Sequence, residues 1–155
     1  MSKQLDYKAL RDSFREKQTA LTAELHGGRL SAREFTHAMS ELTDGVVREV
    51  ADHYLGPHAS QVALVFTGGN GREEIYPGSD LDILMLVPES MSESLDPELE
   101  KNLSSFQIAL WDMGFKTEPI VRTVKQCTQA ALDDIINWPS LLDRRLAWGD
   151  FGYMQ

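Results

Sequence analysis

The chain has 155 residues, 42% of them apolar and 25% charged, a length and composition that suit one globular domain with a substantial core. Its formal net charge of -9 is repelled by nucleic-acid phosphates, which disfavours generic DNA or RNA binding. Cys127 is the single cysteine, which excludes an intramolecular disulfide and a four-cysteine zinc site; the polar start and the lack of a long apolar run argue against a secretory signal and a membrane span. The expected address is the cytoplasm.

In chain order, Leu10, Phe14, Leu21 and Leu25 recur at helical spacing and predict an amphipathic helix from about Asp6 to Leu25, ended by His26-Gly27-Gly28. Ser31-Ala32-Arg33-Glu34 reads as a capping box, in which the serine oxygen takes the Glu34 amide and the glutamate returns to the serine amide. The helix it opens runs to about Tyr54, with Phe35, Met39, Leu42, Val46, Val50 and Tyr54 on one side, and stops at Gly56-Pro57. Val62 to Phe66 and Leu81 to Val87 are short apolar runs, best read as buried strands. A polar loop from Pro88 to Pro97 leads into a helix over Pro97 to Met113, closed by Gly114. Phe115 to Val124 is a third strand, and Pro119 within it implies an edge or a bulge. Val124 to Asn137 reads as a helix, and a last short helix carries Leu141, Leu142 and Leu146. Neither regular βαβ alternation nor an all-β pattern fits this order; an α+β domain does. The expected parts are an N-terminal helical part over 1–57, a sheet and core over 60–124, and C-terminal helices over 125–155.

The chemistry concentrates between the first two strands, in Val65-Phe66-Thr67-Gly68-Gly69-Asn70-Gly71-Arg72 and the following residues to Val87. Asn-Gly is a strong signal for a tight hairpin, but a hairpin needs strand alternation on both sides. Downstream the chain is polar and then turns at Pro77-Gly78, so the hairpin lacks its second strand. The alternative is a strand, a Gly-rich turn and one helical turn at Gly71 to Glu74, with glycines allowing close backbone approach and free amides facing an anion. Residues two apart in a strand point the same way, so Asp80 and Asp82 aim together while Leu81 and Ile83 face the core. Two adjacent carboxylates repel unless a cation or proton lies between them, and carboxylates with nucleotide phosphates are the usual setting for Mg²⁺. The bland reading is a strand end with two solvated aspartates.

Gly68-Gly69, the spacer and Asp80-Leu81-Asp82 resemble the signature of the nucleotidyltransferase superfamily that includes DNA polymerase beta. The fuller string GGNGREEIYPGSDLDILML is similar to the nucleotidyltransferase domain of the bifunctional PII uridylyltransferase/uridylyl-removing family, and LWDMGFKTEPIVRTVKQC and LLDRRLAWGD continue the likeness. Asn70 departs from that pattern where an aromatic residue is usual, and Pro119-Ile120 replace small polar residues. The resemblance implies the superfamily's small mixed sheet flanked by helices. It also implies a Mg²⁺-dependent transfer, with Mn²⁺ as a substitute, of a nucleoside monophosphate from an NTP to a hydroxyl, with release of pyrophosphate. UTP is the implied donor and a tyrosine on a PII-like signal protein the implied acceptor, which would place the chain in nitrogen regulation. A nucleotide-binding regulatory module without turnover, or an adenylyltransferase of another acceptor, are the alternatives. The family's phosphohydrolase and glutamine-sensing domains have no counterpart before Gln155, so removal of the nucleotide is not expected of these residues.

Asp80 and Asp82 are the expected metal ligands and catalytic acids, and the superfamily usually adds a third acid from a later strand. Lys116, Glu118, Ile120 and Arg122 share one face of the third strand, which makes Glu118 the candidate; an ion pair with Arg122 is its alternative role. Asp112 is a lesser candidate at a helix end. Gly68 and Gly69 would cradle phosphate, Arg72 would hold a phosphate or pair with Glu73 or Asp82, and Ser79 would bond a phosphate or cap the turn. Arg122 would hold substrate or the sheet edge, and Arg144 or Arg145 would lock the C-terminal segment with Asp150. The four histidines read as surface residues, Cys127 as core, and Trp111 and Trp138 as packing residues.

Overall fold

The computed structural model describes residues 6–67, 81–133 and 145–149. Helix α1 (Tyr7–His26) starts where the Asp6 carboxylate accepts the Ala9 N–H at 3.0 Å. Helix α2 (Ala32–Leu55) opens on the expected capping box: the Glu34 N–H donates to Ser31 Oγ at 3.1 Å, and the Ser31 N–H donates to Glu34 Oε1 at 3.0 Å. Two otherwise orphaned amides are thereby satisfied.

Four described strands form one sheet in the order β3-β2-β1-β4. They are β1 (Ala63–Phe66), β2 (Ile83–Leu86), β3 (Ile120–Arg122) and β4 (Arg145–Gly149). Strand β1 pairs antiparallel with β2 (Phe66 opposite Ile83) and with β4 (Ala63 opposite Gly149), while β2 and β3 run parallel. The parallel step needs a crossover, supplied by helix α3 (Pro97–Asp112). Pro97 opens that helix at a position where its missing N–H costs nothing, and Gly114, at φ +96°, lies just beyond its end. Helix α4 (Val124–Asp133) follows β3. It too begins with a reciprocal cap: the Gln126 N–H donates to Thr123 Oγ1 at 3.1 Å, and the Thr123 N–H donates to Gln126 Oε1 at 2.8 Å.

Both central strands are buried on both faces, which explains their unbroken apolar sequences. Leu64, Phe66, Ile83 and Met85 join the main core with Phe35, Met39, Val47 and Val50 of α2 and Phe106 and Leu110 of α3. Ala63, Val65, Leu84 and Leu86 form a smaller cluster on the other face, against which Cys127 of α4 packs. Burying each of the larger apolar side chains stabilises the fold by roughly 1.5–3 kcal/mol.

The α+β class and the mixed sheet with flanking helices follow expectation, but the C-terminal part differs. Leu146, expected in a short helix with Leu141 and Leu142, lies in β4 instead; the other two leucines fall outside the described residues. Strand β1 would otherwise present an unpaired edge, and β4 supplies its partner. The third strand is also shorter than Phe115 to Val124, with ladder pairing confined to Ile120–Arg122.

Candidate functional site

The chain leaves β1 and enters β2 at the same end of the sheet. There the Thr67 N–H donates to the Asp82 carbonyl at 3.1 Å. Phe66 is opposite Ile83, so the partner strand starts well after Asn70-Gly71 and no tight hairpin joins the two. Leu81 and Ile83 are each 3% exposed and belong to the main core, whereas Asp82 between them is exposed. The alternation expected of Leu81, Asp82 and Ile83 is therefore present. Gly68, Gly69, Arg72, Ser79 and Asp80 fall outside the described residues, as do the Gly71 to Glu74 turn, Trp138, Arg144 and Asp150.

Strand β3 brings a second carboxylate to this end. Its ladder pairs Leu84 with Ile120 and Leu86 with Arg122. The Leu81 N–H donates to the Lys116 carbonyl at 2.9 Å and the Val87 N–H to the Arg122 carbonyl at 3.0 Å, so one offset holds from end to end. That offset sets Glu118 beside Asp82, on strands about 4.8 Å apart. Thr117 and Thr123 are buried and Val121 packs on the main core, so the intervening Glu118, Ile120 and Arg122 share the opposite face, the face of Leu84 and Leu86.

Pro119 obeys the edge rule. Strand β3 is the outermost of the described strands, and the residues whose backbone faces β2 are the even-numbered ones, so the missing N–H of Pro119 lies on the side away from β2. The Thr117 carbonyl lies on that side as well. It accepts Trp111 Nε1 at 2.8 Å and Gln107 Nε2 at 3.4 Å, both from α3. Trp111 departs from the packing role expected of it: it is 50% exposed, belongs to neither core cluster, and is held by its indole hydrogen bond. Nothing in the sequence marks that bond, because it joins a helix to a loop carbonyl by a tertiary turn of the chain.

Arg122 is exposed and its Nη1 donates to the Val121 carbonyl at 3.0 Å. Asp112 closes α3; together with burial, the larger cause, its charge raises the Tyr54 hydroxyl above its ordinary pKa. His58 departs from the surface expectation: it is 6% exposed and its Nε2 lies 3.1 Å from Asn102 Nδ2. His37 faces Glu41 at 3.1 Å, and His53 sets its ring edge-on to Tyr54. Among the described residues no three His, Cys, Asp or Glu side chains gather as a metal site. Asp82 and Glu118 still offer two hard oxygen donors side by side, the ligand chemistry that suits Mg²⁺, and Asp80 precedes Leu81 directly in the chain. An apolar cleft of about 630 Å³ lies elsewhere, between α1 and α2, lined by Leu10, Phe14, Leu21, Leu42 and Val46.

A family model described as "Putative nucleotidyltransferase DUF294" matches residues 16–133, which take in the second half of α1, all of α2, β1 to β3, α3 and α4. The chain belongs to this nucleotidyltransferase family. It is also similar to proteins named bifunctional uridylyltransferase/uridylyl-removing enzyme. The one from Burkholderia vietnamiensis is 33% identical over 149 residues, covering 96% of this chain and 16% of the relative. The one from Nitrosospira multiformis is 33% identical over 151 residues, 96% of this chain and 17% of the relative. A third, from Ralstonia nicotianae, is 43% identical over 90 residues, 58% of this chain and 10% of the relative. The chain thus spans 16–17% of the length of the two relatives that cover it almost completely. No helix among the described residues is long and apolar enough to cross a membrane.

Proposed function

We propose that this domain transfers a nucleoside monophosphate, UMP from UTP in the first instance, to a protein hydroxyl and releases pyrophosphate. The observation that carries the reading is the in-register placement of Glu118 beside Asp82 on one sheet face, in a chain of a nucleotidyltransferase family. Asp80 and Asp82 would hold Mg²⁺, or Mn²⁺ in its place, and Glu118 would reach the same ion as a further carboxylate ligand while serving as the base. When bound, the ion neutralises phosphate charge as it develops on the leaving pyrophosphate. Glu118 takes the proton from the acceptor hydroxyl, whose oxygen bonds to the α-phosphorus as the bond to the pyrophosphate oxygen breaks. Gly68 and Gly69 would give backbone amides to the phosphates, and Arg72 and Ser79 would contact the same anionic chain; Arg122, beside Leu86 at the far end of the ladder from Glu118, fits its alternative role at the sheet edge. The relatives' printed name, a uridylyltransferase, makes UTP the first donor to try; the motif resemblance makes a PII-like protein the first acceptor to try, with the cytoplasm as the proposed compartment.

The test is incubation with each of the four NTPs, labelled at the α-phosphate, with Mg²⁺ and a PII-like protein. Label should enter the acceptor most readily from UTP. Asp82→Asn should lower the rate at least about 100-fold, since it removes charge stabilisation from the transition state. Transfer at the wild-type rate by Asp82→Asn would overturn the assignment. Tight Mg-NTP binding without transfer to any acceptor would instead support a regulatory nucleotide-binding module.

A further inference from the structure

The loop between α3 and β3 is tied down more heavily than its exposed position requires. The Phe115 N–H donates to the Leu110 carbonyl at 3.0 Å, and the Phe115 ring meets Phe14 edge-on at 5.2 Å. The Lys116 carbonyl is taken by β2 through Leu81. The Thr117 side chain is buried, while its carbonyl accepts the Trp111 indole at 2.8 Å and the Gln107 amide at 3.4 Å. The next residue is Glu118, exposed and in register with Asp82.

An edge strand elsewhere leaves such carbonyls to water. Here α3 spends a half-exposed tryptophan on one of them, immediately before the acid. Pro119 follows and restricts Glu118 to extended backbone. Held from both sides, the Glu118 Cα has little freedom to swing away from β2. We infer that Trp111, with Gln107 as a second donor, is a positioning residue: by gripping the Thr117 carbonyl it fixes the Glu118 carboxylate beside Asp82, so that the two share one divalent cation. The inference rests on the proposed metal-dependent site and adds to it a residue outside the acidic set.

Cation binding tests this without an acceptor or turnover. Mn²⁺ is titrated, with free ion read by electron paramagnetic resonance, into the wild type and into Asp82→Asn, Glu118→Gln, Trp111→Phe, Gln107→Leu and the Trp111→Phe/Glu118→Gln pair. Trp111→Phe keeps an aromatic ring and removes only the N–H, and a thermal melt verifies that each variant is folded. Loss of a residue that orients a metal ligand typically weakens the metal about 10- to 100-fold. Trp111→Phe should weaken Mn²⁺ about 10-fold, Gln107→Leu less, and the double variant no more than Glu118→Gln alone, because Trp111 acts through Glu118. If the wild type binds no Mn²⁺, or Asp82→Asn binds it equally, the metal site itself is wrong and the inference goes with it. If Asp82→Asn weakens binding while Trp111→Phe matches the wild type, or adds its full effect to Glu118→Gln, the site stands and the positioning role is overturned.

Discussion

Gly149 shows how much one residue can decide. It closes β4 opposite Ala63 with φ +102°, a backbone region that L side chains rarely adopt. A Cβ there would overlap the Val62 carbonyl oxygen and come within 2.8 Å of the Ala63 Cα, both parts of rigid backbone. Gly149→Ala is expected to cost about 1–3 kcal/mol from the backbone conformation alone, with the overlap adding to it. A lowered urea midpoint with an unchanged β1–β2 hydrogen-exchange pattern would confirm that the damage is confined to the β1–β4 pairing. A second contact holds the same strand from the side: Trp148 Nε1 donates to Asp52 Oδ1 of α2 at 2.7 Å.

Among the elements, α2 carries most of the helical contribution to the main core, with Phe35, Met39, Val46, Val47, Val50, Ala51 and Leu55 all buried. Its start depends on Ser31 and Glu34. Ser31→Ala should cost about 1 kcal/mol, the usual loss of an N-cap oxygen, which lowers the melting temperature of a domain this size by about 2–4 °C. The Glu34 carboxylate is held below its ordinary pKa, first by the Ser31 backbone N–H and then by the Ser31 hydroxyl. A lowered carboxylate pKa stabilises the fold above the unfolded value, about 4.3, and that contribution disappears as pH falls through the folded value. The stability gap between wild type and Glu34→Gln should therefore be present at pH 7 and close on acidification below about 4. A gap that is constant with pH would show that the charge on Glu34 contributes nothing.

At the scale of the molecule, the sheet has one face sealed by α1, α2 and α3 and the other covered in part by α4. The proposed site occupies the end of that second face where Asp82 and Glu118 are exposed; Arg122, beside Leu86, lies at the other end of the β2–β3 ladder. A ligand seated there binds the folded state alone, so it stabilises the whole domain by mass action. UTP with Mg²⁺ at about 100 times its dissociation constant should add about 2.7 kcal/mol. That corresponds to a rise of about 5–10 °C in melting temperature for a domain near this size. The rise should vanish in Asp82→Asn or on chelation of the metal; a shift that survives both would place the nucleotide elsewhere.

Local patterns carried much of this domain. The period of Leu10, Phe14, Leu21 and Leu25 marked α1, Ser31 and Glu34 marked the start of α2, and apolar runs marked β1 and β2, because each signal lies within a few residues of what it specifies. Pro119 marked an edge strand for the same reason, since a missing N–H excludes a central position. The Leu146 strand was not legible, because a run of leucines at helical spacing says nothing about an open edge on β1 far back in the chain. The burial of His58 beside Asn102 and the grip of Trp111 on Thr117 were hidden as well. The sequence by itself determined the four described α-helices, the two central strands and the alternation that exposes Asp82 between Leu81 and Ile83. Only the tertiary structure decided which strand lies next to β2, and so that Glu118 stands beside Asp82, because strand neighbours and register arise from contacts between segments distant in the chain.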